Sequence, residues 1–294
     1  MEGLRYLVER CEADVHADDD EALRAASCYG HLEVVQYLVE KGVDVHAWDE
    51  SIMQLASWNG HLDVVRYFVE EGGADLHAWS EEALRVASRN GHVQLVKYFV
   101  EERGADVHAL EEEALRSAAE YGHLEVVKYL VFECGANVHA NNEEALRWAS
   151  LYGHLEVVRY LVENGGADVH ALEERALRSA AVNGHLEVVK YLGLERGADV
   201  HAYNDGALRW ASGHGHVQVV RFLVDKCGAD VHAENDNALR AASCYGHLDL
   251  VRYLVEERGA NIYTNYNALL QCASMNGHTK VVEYLESKSA VIPS

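Results

Sequence analysis

The stretch EALRWASLYGHLEVVRYLVENGGADVHA, Glu144 to Ala171, decides how the whole chain reads. Leu146 and Ala149 lie three apart, on one face of a short helix from Ala145 to about Tyr152. The small side chains of Ala145, Ala149 and Ser150 let a neighbouring helix approach closely. Gly153 breaks the helix, since glycine tolerates backbone angles that other residues avoid. A second helix follows from about His154 to Asn164, with Leu155, Val158, Leu161 and Val162 in an apolar stripe and Glu156 and Arg159 on the wet face. Gly165 and Gly166 stop it. Residues 167–171 read as extended, and Leu172 to Arg175 as a tip before the next helix.

The pattern returns along nearly the whole chain. The alanine position of ALR falls at Ala22, Ile52, Ala83, Ala114, Ala145, Ala176, Ala207, Ala238 and Ala268, in steps of 30 or 31 residues. A fixed period of this length means stacked supersecondary units, none of which buries enough apolar surface alone. What the copies share is scaffold, so function is to be sought where they differ.

The runs GHLEVVRYLVE and GADVHA resemble the ankyrin repeat, which implies two antiparallel helices followed by a projecting β-turn finger. The resemblance covers about residues 1–288, in nine complete copies after an N-terminal fragment. ALR stands where the family carries T-P-L-H, the only proline is Pro293, VHA replaces VNA, and the segment before ALR is short. With these departures the chain is most similar to ankyrin arrays of large DNA viruses of amoebae. The expected architecture is an all-α solenoid with a period of about 31 residues and shortened β-turn fingers. It forms one domain over 1–294: a partial repeat (1–21), eight repeats (22–267) and a C-terminal capping repeat with tail (268–294). Met1 to Glu9 aligns with LEVVRYLVE, so the chain opens inside a second helix. Two readings of that end stay open, a fragment of a longer array or a docking surface.

A formal charge of −23, from 48 acidic and 25 basic residues, has the wrong sign for neutralising phosphates. Nucleic acid and anionic membranes are therefore poor partners. No run of 18 apolar residues is present, so no transmembrane helix is expected. The six cysteines include column mates in distant copies, Cys28 with Cys244 and Cys134 with Cys227, which cannot meet in a stack. The expectation is no disulfide and a reducing, cytoplasmic setting.

Eighteen histidines invite a metal hypothesis. Zinc needs ligand nitrogens about 3–4 Å apart, whereas equivalent residues in stacked helices lie about 8–10 Å apart. Structural histidines, no metal and no cofactor are expected. The serines Ser27, Ser57, Ser88, Ser150, Ser212, Ser243 and Ser274 form one packing column, whereas a catalytic serine is singular and activated. No enzyme is expected. The ALR arginines form a ladder, read either as salt bridges to nearby acids or as a row of anion-binding groups.

The tips read DDDE, WDES, WSEE, LEEE, NNEE, LEER, YNDG and ENDN; they hold 18 acids and one basic residue, Arg175. The pairs before each GH also vary. By resemblance, tips and these helix ends line the concave face of ankyrin proteins. The candidate partner-binding residues are Tyr29, Trp48, Asp49, Glu50, Trp58, Trp79, Glu81, Glu82, Arg89, Glu111, Glu112, Tyr121, Tyr152, Tyr203, His214 and Tyr245. Aromatics favour binding hot spots and clustered acids favour a basic partner. The expected function is a protein-binding scaffold for a basic protein segment; the alternative is a spacer or homodimer joined through residues 1–17.

Overall fold

A computed structural model describes residues 1–44, 51–71 and 80–289. Trp48, Asp49, Glu50 and Trp79, and the side chain of Glu81, lie outside the described residues. The described residues form 19 α-helices and no strand. Four second helices end in a π-wound turn: Tyr98–Glu102, Tyr129–Glu133, Tyr191–Glu195 and Tyr253–Glu257. The chain divides into two compact units, Met1–Asn137 and Val138–Ser294. Inside each unit the first helix of one copy packs on the first helix of the next and on its own second helix.

The core repeats with the sequence. The ALR leucines Leu23, Leu115, Leu146, Leu177, Leu208 and Leu239 are at most 1% exposed, and Val65, Val96, Val127, Val158, Val189, Val220 and Val251 are wholly buried. Each such side chain stabilises the fold by about 1.5–3 kcal/mol on leaving water. Six of the seven column serines are buried in the same layer and Ser274 is exposed; Ser27 and Ser212 donate their hydroxyl hydrogen bonds to Leu23 O (2.8 Å) and Leu208 O (2.7 Å), one turn back. The tyrosines of the second helices are packing residues, as their position implies. Tyr98, Tyr191 and Tyr253 are buried, and Tyr191 donates to Glu163 of the preceding copy at 3.1 Å.

Neighbouring copies are joined through the GH pair. The Nε2–H of His61, His92, His123, His185, His216 and His247 donates to the carbonyl of Cys28, Trp58, Arg89, Leu151, Val182 and Gly213, at 2.7–3.0 Å. Because a carbonyl can only accept, the proton sits on Nε2. Each acceptor is the last or next-to-last residue of the preceding copy's first helix, where carbonyls have no helical partner. The histidine thus fixes the turn of the previous copy rather than its own. Its ring also occupies the space a side chain would take on the preceding glycine: a Cβ on Gly184 would lie 2.5 Å from His216 Nδ1. That glycine is doubly required, since its φ of +77° is left-handed as well.

Two sequence expectations need correction. Aligned on GH, the last copy keeps the 31-residue step, which places Leu269 rather than Ala268 in the column of Ala238. Leu269 is buried while Ala268 is exposed. The expectation of no disulfide also fails: Cys244 and Cys272 are bonded, with Cα atoms 5.0 Å apart. Adjacent first helices bring residue i against residue i+28, one turn below its column mate, so comparing only column mates overlooked the pair. Cys11, Cys28, Cys134 and Cys227 are free. Cysteine usage therefore no longer argues for a reducing compartment.

Two glycines in one copy should respond oppositely to alanine. Gly184→Ala should cost at least about 1–2 kcal/mol, from the left-handed angle and the imidazole in the way. A Cβ on Gly193, inside the helix, meets only ordinary contacts at 3.8 and 3.9 Å. Gly193→Ala should therefore raise stability by about 0.5–1 kcal/mol. Thermal unfolding of both variants checks the pair of signs.

Candidate partner-binding face

The resemblance implied β-turn fingers at the tips; the structure has a left-handed turn. Leu110 to Glu112, Asn141 to Glu143, Leu172 to Glu174, Tyr203 to Asp205 and Glu234 to Asp236 all have φ between 50° and 66°. Left-handed backbone costs an ordinary residue about 1–2 kcal/mol, so three in a row must be held by their surroundings. Three contacts hold them. Asp168 Oδ1 accepts the N–H of His170 at 2.9 Å. His170 Nδ1 meets Glu174 Oε1 at 2.7 Å. Arg178 donates from Nε to Glu173 O (2.8 Å) and from Nη2 to Leu172 O (2.7 Å).

The same clamp recurs as His108–Glu112, His139–Glu143, His201–Asp205 and His232–Asp236, at 2.6–3.1 Å. Arg116, Arg147 and Arg209 likewise donate to the carbonyls of Leu110, Asn141 and Tyr203. These arginines of the ladder thus hold the tips, and Arg147 does so while also pairing with Glu144 at 3.8 Å. Ion pairs are present where a glutamate stands three residues earlier, as in Glu21–Arg24 and Glu82–Arg85.

The clamp removes one candidate. Glu112 is 5% exposed and committed to His108, so it does not face a partner. Glu82 is occupied by Arg85. The sequence did carry a signal for the clamp: the third tip residue is acidic in all eight tips, four residues after the histidine. Eight of the 18 tip acids therefore belong to this column. Glu111, Glu173 and Glu234 remain exposed.

The residue directly before GH is exposed in every described copy except for half-buried Asn90, whereas the one before that is exposed at Trp58 and Met275, half-buried at Arg89 and most others, and buried at Cys244. In the first unit, Arg89 lies with its guanidinium carbon 5.6 Å from the Trp58 ring and 4.7 Å from that of Tyr121, and Nη2 donates to the Tyr121 hydroxyl. Three candidates from three successive copies therefore form one stack. In the second unit, Tyr152 stacks on Trp148 at 6.0 Å, and Tyr203 lies 5.8 Å from Trp210. Trp148 and Trp210 were missed because they sit inside the ALRxAS motif, which reads as scaffold. Tyr29, His214 and Tyr245 are exposed, Tyr29 lying 6.4 Å from the His31 ring and His214 stacking on His216 at 6.1 Å. Among the described residues, no group of three or more His, Cys, Asp or Glu could hold a metal, and no helix is long and apolar enough to cross a membrane.

The family description "Ankyrin repeats (3 copies)" matches residues 1–78, 53–142, 115–204, 177–266 and 208–292. The chain belongs to the ankyrin-repeat family. Comparison with curated proteins gives no match. Ankyrin repeats generally mediate protein–protein interaction, and in this array the exposed aromatic stacks and the clamped tips are the variable surface.

His108 and His170 of the tip clamps and His216 of the GH column have opposite electrostatics. The hydrogen bonds that His108 and His170 donate to Glu112 and Glu174 raise their pKa values above the ordinary 6.5. Their contribution to stability is complete below about 6.5 and is lost as pH rises through the raised folded values. Burial lowers the pKa of His216, so its contribution holds above about 6.5 and is lost as pH falls towards the depressed value. NMR titration should find His108 and His170 midpoints above 6.5 and the His216 midpoint below it. Midpoints in the reverse order would refute the assignment.

Proposed function

We propose that this array is a non-catalytic scaffold whose face of tips and first-helix ends holds a protein segment, and that the exposed tip acids draw a basic one. The Trp58–Arg89–Tyr121 stack carries the reading: it presents aromatic and guanidinium surface across three copies, and such groups dominate binding hot spots. The formal charge of −23 supports steering of a cationic partner and suppression of acidic nucleic acid. The burial of six of the seven column serines, with no titratable base hydrogen-bonded to any of their hydroxyls, supports the absence of a nucleophile. The ALRxAS columns and short tips support kinship with virus-encoded arrays of this family.

Capture from lysate tests this function. Trp58→Ala combined with Tyr121→Ala should lower partner recovery at least about tenfold while leaving the fold intact by circular dichroism. Protonating all 18 histidines would move the formal charge from −23 to −5. Recovery should therefore fall between pH 8 and pH 5.5. Recovery indifferent to both changes would show that this face and its acidic field do not select the partner.

A second reading rests on the N-terminal helix Glu2–Arg10, where Tyr6 and Leu7 are 63% and 51% exposed. Two such apolar surfaces could join two chains. Light scattering should then show a concentration-dependent dimer that deletion of residues 1–17 abolishes; a monomer at every concentration would exclude it.

A further inference from the structure

One position on the binding face breaks the charge pattern of the array. Arg85 shows the ordinary arrangement. Its guanidinium pairs with Glu82 on its own copy, and Glu113 of the next copy lies 3.6 Å from its Nε. Counting back from GH, the equivalents around Arg178 are Arg175 and Gly206. Both carboxylates are gone, and one is replaced by a second positive charge.

Arg178 is nevertheless 5% exposed. It gives Nε and Nη2 to backbone carbonyls and has no carboxylate within ion-pair distance. Glu173 gives it a backbone oxygen at 2.8 Å, while its carboxylate acts on it only from beyond ion-pair distance. The guanidinium carbon lies 4.6 Å from the Tyr203 ring and 5.1 Å from the Trp210 ring, and the missing side chain of Gly206 makes room for its stem. A buried charge without a counter-ion is costly unless something supplies one.

The two guanidiniums open onto a groove of about 300 Å³, walled by Leu151, Val182, Trp210 and His214 from three successive copies. Arg175 is exposed at its rim and makes no ion pair. The corresponding groove of the first unit, beside Trp58, is lined by Glu82 as well as by arginines. Only in the groove of the second unit is the glutamate position reversed in sign.

We propose that this groove is an anion subsite that takes one aspartate or glutamate of a partner segment together with a large apolar side chain next to it. The carboxylate pairs with Arg175 and Arg178, and the apolar side chain lies on Trp210, Leu151 and Val182. The groove is formed across the copies that begin at Ala145, Ala176 and Ala207, so a segment running along the face passes over it, and the acid is internal to that segment. The proposal rests on the reading of this face as a protein-binding surface. It adds that a partner otherwise drawn by acidic tips carries one acid at a fixed place.

Arg175→Glu tests it cleanly, because it restores the residue that other copies carry and should fold at least as well. A phage-displayed library of random dodecapeptides is selected on the full-length chain. Selected peptides are then synthesised with both ends blocked and titrated by fluorescence anisotropy. The expected peptides place Asp or Glu beside Leu, Phe or Trp. Changing that acid to its amide should weaken binding about tenfold or more, as should Arg175→Glu. Selected peptides without an acid, or with affinity untouched by Arg175→Glu, would overturn the subsite. So would a peptide that binds more tightly when the carboxylate is moved to a free C-terminus, since the acid would then be terminal. Lys- or Arg-rich peptides that respond to Trp58→Ala with Tyr121→Ala but not to Arg175→Glu would sink the subsite and leave the scaffold standing. Selection of no peptide would count against both.

Discussion

The bond from a GH imidazole to the carbonyl that closes the preceding first helix, present at six junctions, is the constraint on which the rest depends. It meets three needs at once. A helix end is left with unpaired carbonyls, a tight turn needs a left-handed residue, and two copies need a fixed spacing. The glycine supplies the turn, and its bare α-carbon admits the imidazole of the next copy. That ring then reaches the orphan carbonyl. Replacing either residue frees both copies, which is why the pair recurs while its flanking residues drift.

Much of this was legible in the sequence. The 31-residue step, both helices of each copy and the apolar columns follow from spacing alone, because helical periodicity is local. What escaped notice acts between copies. The Cys244–Cys272 bond joins residues 28 apart. The GH imidazole binds a carbonyl 33 or 34 positions back. The last copy slipped by one because it was aligned on ALR letters, whereas the packed column is kept by GH. Reading one unit in isolation cannot register a contact whose other half lies in the next.

The candidate face illustrates the same division. Trp58, Arg89 and Tyr121 were singled out for their variability, and the structure stacks them. Glu112 was grouped with them for its charge, yet it is a fixed part of the tip. Its constancy across the tips was visible but was hidden by the surrounding acids. The ALR arginine shows how one scaffold residue takes different duties. Arg24 and Arg85 answer a glutamate, Arg116 and Arg209 hold a turn, and Arg178 does so with its charge unanswered.

The GH bond also reaches back only one copy, and six junctions among the described residues use the same donor and kind of acceptor, whereas at the last one Asn276 donates to the carbonyl of Cys244. Unequal crossing-over between such genes would insert, delete or reorder whole units without creating an unmet junction. The order of exposed side chains could then be reshuffled within each stack while the backbone geometry is inherited intact. Diversification by recombination, rather than by gradual point change, is the mode of evolution to which this kind of junction is suited.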